Sequence, residues 1–389
     1  MVKFDVDGAQ NVEVSVKIPC EKSLKEQLEI MEEYTRVHKE GAELSKESRE
    51  LNCLNVLYPR MFRKIEPQDK IAGRLDFLPV GFGCVTSLGG VGHYCVFNKL
   101  RAFQAKLENE EDKKRVDALY DYWLDHDLKT IYCKEMLTET TVGRFIDPKY
   151  PLIATARLSG MMLDYPKLLE KGIGGLRQEI FEKFKKDQDN EFYKAALGCL
   201  DIFVDSAEAL KQKALEQSHE ENGERKKELL QMARVLEKIK TQKPETFQEA
   251  LQLIWLYALL SGVINYGRLD DYLGPYLVKD LEEGRLSEEE AYDYVHSLWT
   301  MIENRRTTVN GRIIVGGKGR KHPKEADVFL HIAMKVAKNT RYVEPQFTLR
   351  FDKDTSDEIW DEALDALGAG ATYPTLYNDC LLYTSDAAD

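Results

Sequence analysis

The sequence lacks the paired cysteines and histidines that mark disulfide frameworks and metal sites. Its seven cysteines, in 389 residues, are scattered without a Cys-x-x-Cys spacing, and its seven histidines include no His-x-x-x-His pair. We therefore predict a reduced, cytoplasmic protein, and no metal site within this chain.

Long apolar runs and an excess of positive charge are also missing. No stretch reaches the ~20 consecutive apolar residues of a membrane span, and no apolar signal-peptide core follows Met1 to Asp5. The formal net charge of −12 argues against a general nucleic-acid surface, which would be basic. With 43% hydrophobic and 31% charged residues, the composition is that of a globular protein.

Two glycine-rich runs do not have the spacing of nucleotide-binding loops. The run at 81–86 lacks the third glycine of a dinucleotide fingerprint. The run at 316–319 lacks the Walker A spacing and its Ser or Thr. We therefore predict no nucleotide site.

The stretch from Thr246 to Tyr276 joins an apolar helix to a polar turn. Thr246 and Glu249 have the Thr-x-x-Glu spacing of a capping box, which predicts a helix start. The residues that follow, through Leu259, leave almost no polar face, and such a helix is buried. An Arg and two Asp come next, and beside a buried helix they must pair with each other, with backbone or with a ligand.

The rest of the chain divides into a helical part and an alternating part. Residues 22–52 and 177–240 have charged, amphipathic helical patterns, and residues 1–20 alternate weakly, as in one short edge strand. After Leu286, helical segments alternate with strand patterns, which predicts parallel strands joined by right-handed crossovers. Capping boxes are predicted at two helix starts, Ser287 with Glu290 and Thr355 with Glu358.

Four segments, in order, resemble motifs of one enzyme family. Residues 267–276, GRLDDYLGPY, resemble the Gly-Arg-Phe-Asp-Gln-Tyr-Leu-x-Pro-Tyr signature of the glycyl radical enzymes, the pyruvate formate-lyase family. Residues 313–317, 344–350 and 372–379 resemble that family's Val-Gly-Gly, Pro-Gln-Pro and Asn-Asp strands. The resemblance is good over 244–379 and diffuse before it.

The resemblance implies an α/β fold. The family has a ten-stranded α/β barrel, made of two parallel half-barrels and wrapped in helices. This chain would supply a mostly helical part of the pyruvate formate-lyase domain, 1–243, and the first half-barrel, 244–379, so the barrel would be incomplete. Residues 380–389 do not resemble the family and are interpreted as a non-native tail.

The resemblance also implies a function for a longer protein. We expect an anaerobic radical lyase or dehydratase that cleaves a C–C or C–X bond of a small metabolite. The alternatives are formate C-acetyltransferase itself and a non-catalytic half-barrel scaffold. The family's Gly-Cys-x-Glu loop, which carries the thiyl-forming Cys, and its Arg-Val-x-Gly loop, which stores the radical, do not occur in this sequence. We therefore interpret the chain as truncated near residue 379, with no catalytic residue of its own.

The resemblance further implies cofactor and partners. No cofactor is expected to bind this chain, and the glycyl radical would form in the missing C-terminal part. The partners would be a small-molecule substrate, a radical S-adenosylmethionine activating enzyme and, at full length, a second copy in a homodimer. No nucleic acid and no membrane partner is expected.

Seven residues are candidates for substrate binding. Six are carried over from motif positions, and the seventh is the one histidine in an apolar, glycine-rich stretch: Asn265, Tyr266, Arg268, Asp270, Asn378, Asp379 and His93. Structural roles are the alternatives: an ion pair between Arg268 and Asp270, an Asx-capped turn at 378–379, and a hydrogen-bonded core histidine at 93.

Overall fold

Helices are the main elements of the N-terminal part of the computed structural model, among the residues that it describes, together with one antiparallel pair of strands. The structure describes residues 2–6, 9–14, 20–81, 94–126, 135, 138, 162–305 and 311–382. Strands β1 (Val2–Val6) and β2 (Ala9–Val14) pair antiparallel. The predicted strand within residues 1–20 is confirmed by β2, but the sequence analysis missed its partner β1, because the alternation is too weak to separate two strands. Four helices follow: α1 (Leu24–Glu40), α2 (Lys46–Leu57), α3 (Phe97–Gln104) and α4 (Glu110–His126).

Three helices form the long amphipathic region. They are α5 (Tyr165–Phe184), α6 (Glu191–Glu220) and α7 (Gly223–Ile239). The predicted helical character of residues 177–240 is confirmed, and α6 and α7 pack closely against each other. Among the helices that the structure describes, none combines the length and apolar composition that crossing a membrane would require.

The predicted buried helix is α8 (Phe247–Ser261), and it lies at the centre of the fold. Thr246 and Glu249 form the predicted capping box, and Gly262 ends the helix in a left-handed conformation. Helix α8 packs against α5, α6, α7 and α9 (Leu269–Glu282). Its buried Gln252 exchanges two hydrogen bonds, of 2.7 and 2.8 Å, with the backbone of Ala72. The buried amide of Gln252 is therefore satisfied by the N-terminal part of the chain.

The second part contains four parallel strands in chain order. These are β3 (Asn265–Gly267), β4 (Arg312–Gly316), β5 (Gln346–Phe351) and β6 (Thr375–Asn378). Helices α9 and α10 (Glu288–Asn304) connect β3 to β4, α11 (Pro323–Asn339) connects β4 to β5, and α12 (Asp357–Gly368) connects β5 to β6. A short helix, α13 (Asp379–Leu382), follows β6. The predicted alternation of parallel strands and helices is confirmed.

One predicted helix start was wrong. The N-cap of α12 is Ser356, whose hydroxyl accepts a hydrogen bond from the backbone N–H of Ile359. The Thr355 hydroxyl instead accepts from the N–H of Asp352 in the preceding turn. The two adjacent hydroxyl residues offer equivalent caps, and the turn after β5 decides between them. The capping box of Ser287 and Glu290 at the start of α10 is confirmed.

Candidate functional site

Polar side chains collect where the four parallel strands end. Gly267, Gly316, Phe351 and Asn378 are the last residues of β3 to β6, and the pairing of β4 with β5 and of β5 with β6 brings their ends to one edge of the sheet. Barrels of parallel strands place their chemistry at this edge.

The Asp270 carboxyl is fully buried beside the turn that follows β4. Its Oδ2 accepts a hydrogen bond of 2.8 Å from the N–H of Gly316, and Arg320 Nη1 lies 3.7 Å from the same oxygen. Its Oδ1 lies 3.7 Å from Arg268 Nε, too far for a hydrogen bond. Burial raises the pKa of Asp270 to about 6, and the Arg268 guanidinium opposes this rise. The carboxyl can therefore exchange a proton close to neutral pH.

The Arg268 guanidinium is bound to the backbone of the same turn. Its Nη2 donates to the carbonyl of Gly316, and its Nη1 donates to the carbonyl of Lys318 at 3.2 Å. Arg268 Nε and Asp270 Oδ1 are both buried and have no hydrogen-bond partner among the described residues. The two atoms therefore face each other as a buried ion pair without a hydrogen bond.

The Asp379 carboxyl holds the turn from the β6 side. Its Oδ2 accepts from the N–H of Lys318 at 2.7 Å, and its Oδ1 accepts from Arg350 Nε at 2.6 Å. Asp379 is fully buried, as Asp270 is. We call Arg268, Asp270, Arg320, Arg350 and Asp379 the strand-end cluster.

The turn itself requires glycine. Gly316 and Gly317 have φ angles of +72° and +69°, which residues with a Cβ rarely adopt. A Cβ on Gly317 would lie 2.4 Å from Asp379 Oδ2 and 2.7 Å from Arg350 Cβ. The two glycines let the backbone approach both buried carboxylates.

The other candidates lie apart from this cluster. Tyr266 is fully buried; its hydroxyl accepts from Arg305 Nη1 at 2.9 Å, and its ring stacks on Trp255. Asn265 accepts from the N–H of Gly267 at 3.1 Å through Oδ1. Burial raises the pKa of the Tyr266 hydroxyl, and the Arg305 guanidinium opposes this rise.

Asn378 caps its own turn, and His93 lies outside the described residues. The Asn378 Oδ1 accepts from the N–H of Cys380 at 2.9 Å, the Asx geometry that was the structural alternative. The structure thus brings together Arg268, Asp270 and Asp379 of the seven candidates.

Sequence reasoning missed two arginines of the strand-end cluster. Arg350 lies near the end of β5, inside a segment that was used only for its family resemblance. Arg320 lies in the loop before α11, where it also pairs with Asp327. A search for cationic residues at or just after every predicted strand end would have found Arg350.

One group of side chains among the described residues has ligand spacing for a metal. The ligand atoms of His331, Glu358 and Glu362 lie within 4.8 Å of one another. These residues belong to α11 and α12, and the His331 Nδ1 lies 2.9 Å from a Glu362 oxygen. They are partly or largely exposed and are not part of the strand-end cluster.

Known proteins with similar sequences cover most of the chain. The family described as "Pyruvate formate lyase-like" matches residues 8–388. The "Probable dehydratase YbiW" of Escherichia coli (strain K12) is 24% identical over 313 residues, which are 70% of this chain and 38% of that protein. The (2S)-3-sulfopropanediol dehydratase of Klebsiella oxytoca is 25% identical over 310 residues, 71% of this chain and 37% of that protein.

Solved structures with the same fold cover nearly all of the chain. A glycyl radical enzyme from Archaeoglobus fulgidus superposes with a TM-score of 0.70 at 20% identity, covering 92% of this chain and 52% of that one. The B12-independent glycerol dehydratase from Clostridium butyricum gives a TM-score of 0.71 at 19% identity, covering 95% and 52%. The predicted fold class is confirmed, and the chain spans about half of these structures and 37–38% of the two curated relatives.

Proposed function

Because the chain belongs to the pyruvate formate lyase-like family, we propose that it is the N-terminal part of a glycyl radical lyase or dehydratase. The reaction would cleave a C–C or C–X bond of a small metabolite. The supporting observation is the family match over residues 8–388, and the chain superposes on 52% of the length of two solved proteins with this fold. Several of the relatives are named as dehydratases or lyases.

The radical would supply hydrogen-atom abstraction from the substrate, and its glycine would lie in a part of the protein beyond this chain. The residues described here would bind and orient. Arg268 and Arg320 place positive charge at the strand ends, and the buried Asp270 can hold or release a proton near neutral pH.

The proposal also includes the cellular context of the complete protein. We propose an anaerobic, cytoplasmic enzyme that acts on a small molecule, is activated by a radical S-adenosylmethionine enzyme and forms a homodimer. The division at residue 243 into a helical part and a half-barrel part, and the non-native character of residues 380–389, remain predictions.

The first test is long-read sequencing of the source DNA across the codon for Asp379. A reading frame that continues into a Gly-Cys-x-Glu loop and an Arg-Val-x-Gly loop supports the enzyme. Adjacent cysteines in the first loop would support formate C-acetyltransferase instead. A stop codon directly after residue 389 would rule out radical catalysis by this chain and support the scaffold alternative.

The second test is anaerobic activation of the continued protein. Electron paramagnetic resonance should detect a glycyl radical after incubation with the activating enzyme. Product formation is then measured with the substrates named for relatives: trans-4-hydroxy-L-proline, isethionate, (2S)-3-sulfopropanediol and glycerol. A radical that forms without turnover of any of the four would leave the family intact and exclude those substrates. Failure to form any radical would contradict the proposed function.

A further inference from the structure

A cavity lies beneath the N-terminal helices, at the end of the sheet opposite the strand-end cluster. Its volume is about 700 Å³, within the range of small-molecule sites. Its walls come from the start of α1, the irregular segment 63–79, α3, and the C-terminal ends of α8 and α10. Segments distant in sequence therefore meet around it.

Arg305 lines the cavity and has an unoccupied hydrogen-bonding edge. The residue caps the C-terminus of α10 and is 5% exposed. Its Nη1 donates to the Tyr266 hydroxyl at 2.9 Å and to the Val263 carbonyl at 3.1 Å. Its Nε and Nη2 have no hydrogen-bond partner among the described residues. Nε and Nη2 form the side of a guanidinium that binds a carboxylate, sulfonate or phosphate through two parallel hydrogen bonds.

The position of Arg305 is fixed by the surrounding core. The guanidinium carbon lies 5.9 Å from the centre of the Trp255 ring, which stacks on Tyr266. Trp255 Nε1 donates to the carbonyl of Gly73 at 3.0 Å, on another wall of the cavity. With Nη1 bound on one side and the ring near it, the guanidinium is held in one orientation. Such preorganisation favours binding of an anion.

Two other buried arginines at the cavity are already neutralised. Arg74 makes two hydrogen bonds with Asp69, and Arg63 pairs with Asp76 at 2.8 Å. Lys22 and Lys106 add positive charge at more exposed positions. Asp76 is the only carboxylate among the described residues that line the cavity, and it faces Arg63. The net charge of the side chains at the cavity is therefore positive. Arg305 is the buried contributor that is not paired with Asp69 or Asp76.

The remaining walls are largely apolar, with Leu75, Phe77, Leu78, Val96 and Phe103 among them. We propose that this cavity binds an organic oxyanion, a carboxylate or sulfonate with an apolar body, whose charged group is held on Nε and Nη2 of Arg305. A buried guanidinium edge without an acceptor is unfavourable, so a matching anion gains both hydrogen bonds and charge pairing. The site is separate from the proposed catalytic function and does not depend on it.

The test is isothermal titration of this chain with phenylacetate and with 2-phenylethanol, a neutral molecule of similar size and shape. Phenylacetate should bind at least about tenfold more tightly than the alcohol, the factor expected for charge-assisted hydrogen bonds. Arg305→Met should remove this preference, and Arg305→Lys, which keeps the charge without the fork, should retain part of it. Arg312→Met, at an exposed arginine outside the cavity, is the matched control and should change nothing.

A second variant covers the possibility that Arg305→Met fails to fold. Ala102 lies on α3, is exposed and lines the cavity, so Ala102→Phe should obstruct binding while leaving Arg305 intact. Circular dichroism and urea unfolding confirm that each variant is folded. The proposal is overturned by equal affinity for the two probes, by unchanged phenylacetate binding in folded Arg305→Met or Ala102→Phe, or by no detectable phenylacetate binding.

Discussion

Asp270 and Asp379 hold one turn from opposite sides. The first accepts a hydrogen bond from the N–H of Gly316, and the second accepts from the N–H of Lys318. Both carboxylates are fully buried, and they come from the segments that follow β3 and β6. The turn after β4 is therefore a point where the two outer strands of the sheet are connected through side chains.

Gly317→Ala should destabilise the protein because the turn leaves no room for a Cβ. The added atom would lie 2.4 Å from Asp379 Oδ2, in a backbone conformation with φ +69°. We expect the free energy of unfolding to fall by about 2–4 kcal/mol, measured in urea. Gly319→Ala is the matched control: its φ is +80° but no atom lies within 4 Å, so only the backbone strain of about 1–2 kcal/mol applies. Equal losses in the two variants would contradict this account of the turn.

Asp379→Ala should lower the free energy of unfolding far more than Asn378→Ala does. It leaves the Lys318 N–H without its acceptor and removes the partner of Arg350 Nε. The expected loss of unfolding free energy is about 3 kcal/mol. Asn378→Ala removes one local hydrogen bond to Cys380 and should cost about 1 kcal/mol. Chemical unfolding of both variants measures the difference, and a larger effect at Asn378 would show that the turn is held in another way.

Asp270→Asn should change how stability depends on pH. The pKa of Asp270 is raised to about 6 in the folded protein, above the ~3.9 of an unfolded chain. The folded state therefore binds the proton of Asp270 more tightly than the unfolded state does. The contribution of this proton to folding stability is complete below about pH 4 and is lost as the pH rises through about 6. Relative to Asp270→Asn, the wild type should lose about 2 kcal/mol of unfolding free energy between pH 4 and pH 7. Urea titrations at several pH values test this, with Asp357→Asn, at an exposed carboxylate, as control. If the difference in unfolding free energy between wild type and Asp270→Asn were the same at every pH, the raised pKa of Asp270 would be refuted.

His38→Gln should reveal a pH dependence of the opposite sign. Burial lowers the pKa of His38 to about 4, helped by the positive charge of Arg49, from an unfolded value of ~6.5. Here the unfolded state binds the proton of His38 more tightly than the folded state does. The contribution of neutral His38 to folding stability is therefore present above about pH 6.5 and is lost as the pH falls through about 4. The wild type should lose about 3 kcal/mol relative to the variant between pH 7 and pH 4.

The Gln variant keeps a neutral partner for the Tyr122 hydroxyl, which lies 2.9 Å from His38 Nδ1. His219→Gln, at an exposed position of α6, is the matched control. Asp270 and His38 change the unfolding free energy in opposite directions over the same pH range. A plot of unfolding free energy against pH for the wild type alone would therefore hide both effects. If the unfolding free energies of wild type and His38→Gln changed with pH in parallel, His38 would not titrate with a lowered pKa.

Local sequence patterns correctly predicted those helices and strands whose own residues contain a capping motif or a clear hydrophobic periodicity. The caps at Thr246 and Ser287, and the parallel strands β4 and β5, follow from short-range spacing and are confirmed. The cap of α12 was misplaced by one residue because Thr355 and Ser356 offer the same chemistry. The candidate site was partly predictable: motif positions identified Arg268, Asp270 and Asp379, but not Arg320 or Arg350.

The sequence by itself determined the family, the buried helix α8 and the alternation of strands and helices, since these depend on residues close together in the chain. The tertiary structure decided which partner each buried charge has. Asp270 meets Gly316 across 46 residues, and Asp379 meets Lys318 across 61. Such pairs are fixed by strand register and crossover packing, which periodicity does not encode. The free edge of Arg305 has the same origin, because segments distant in sequence meet around the cavity that this side chain lines.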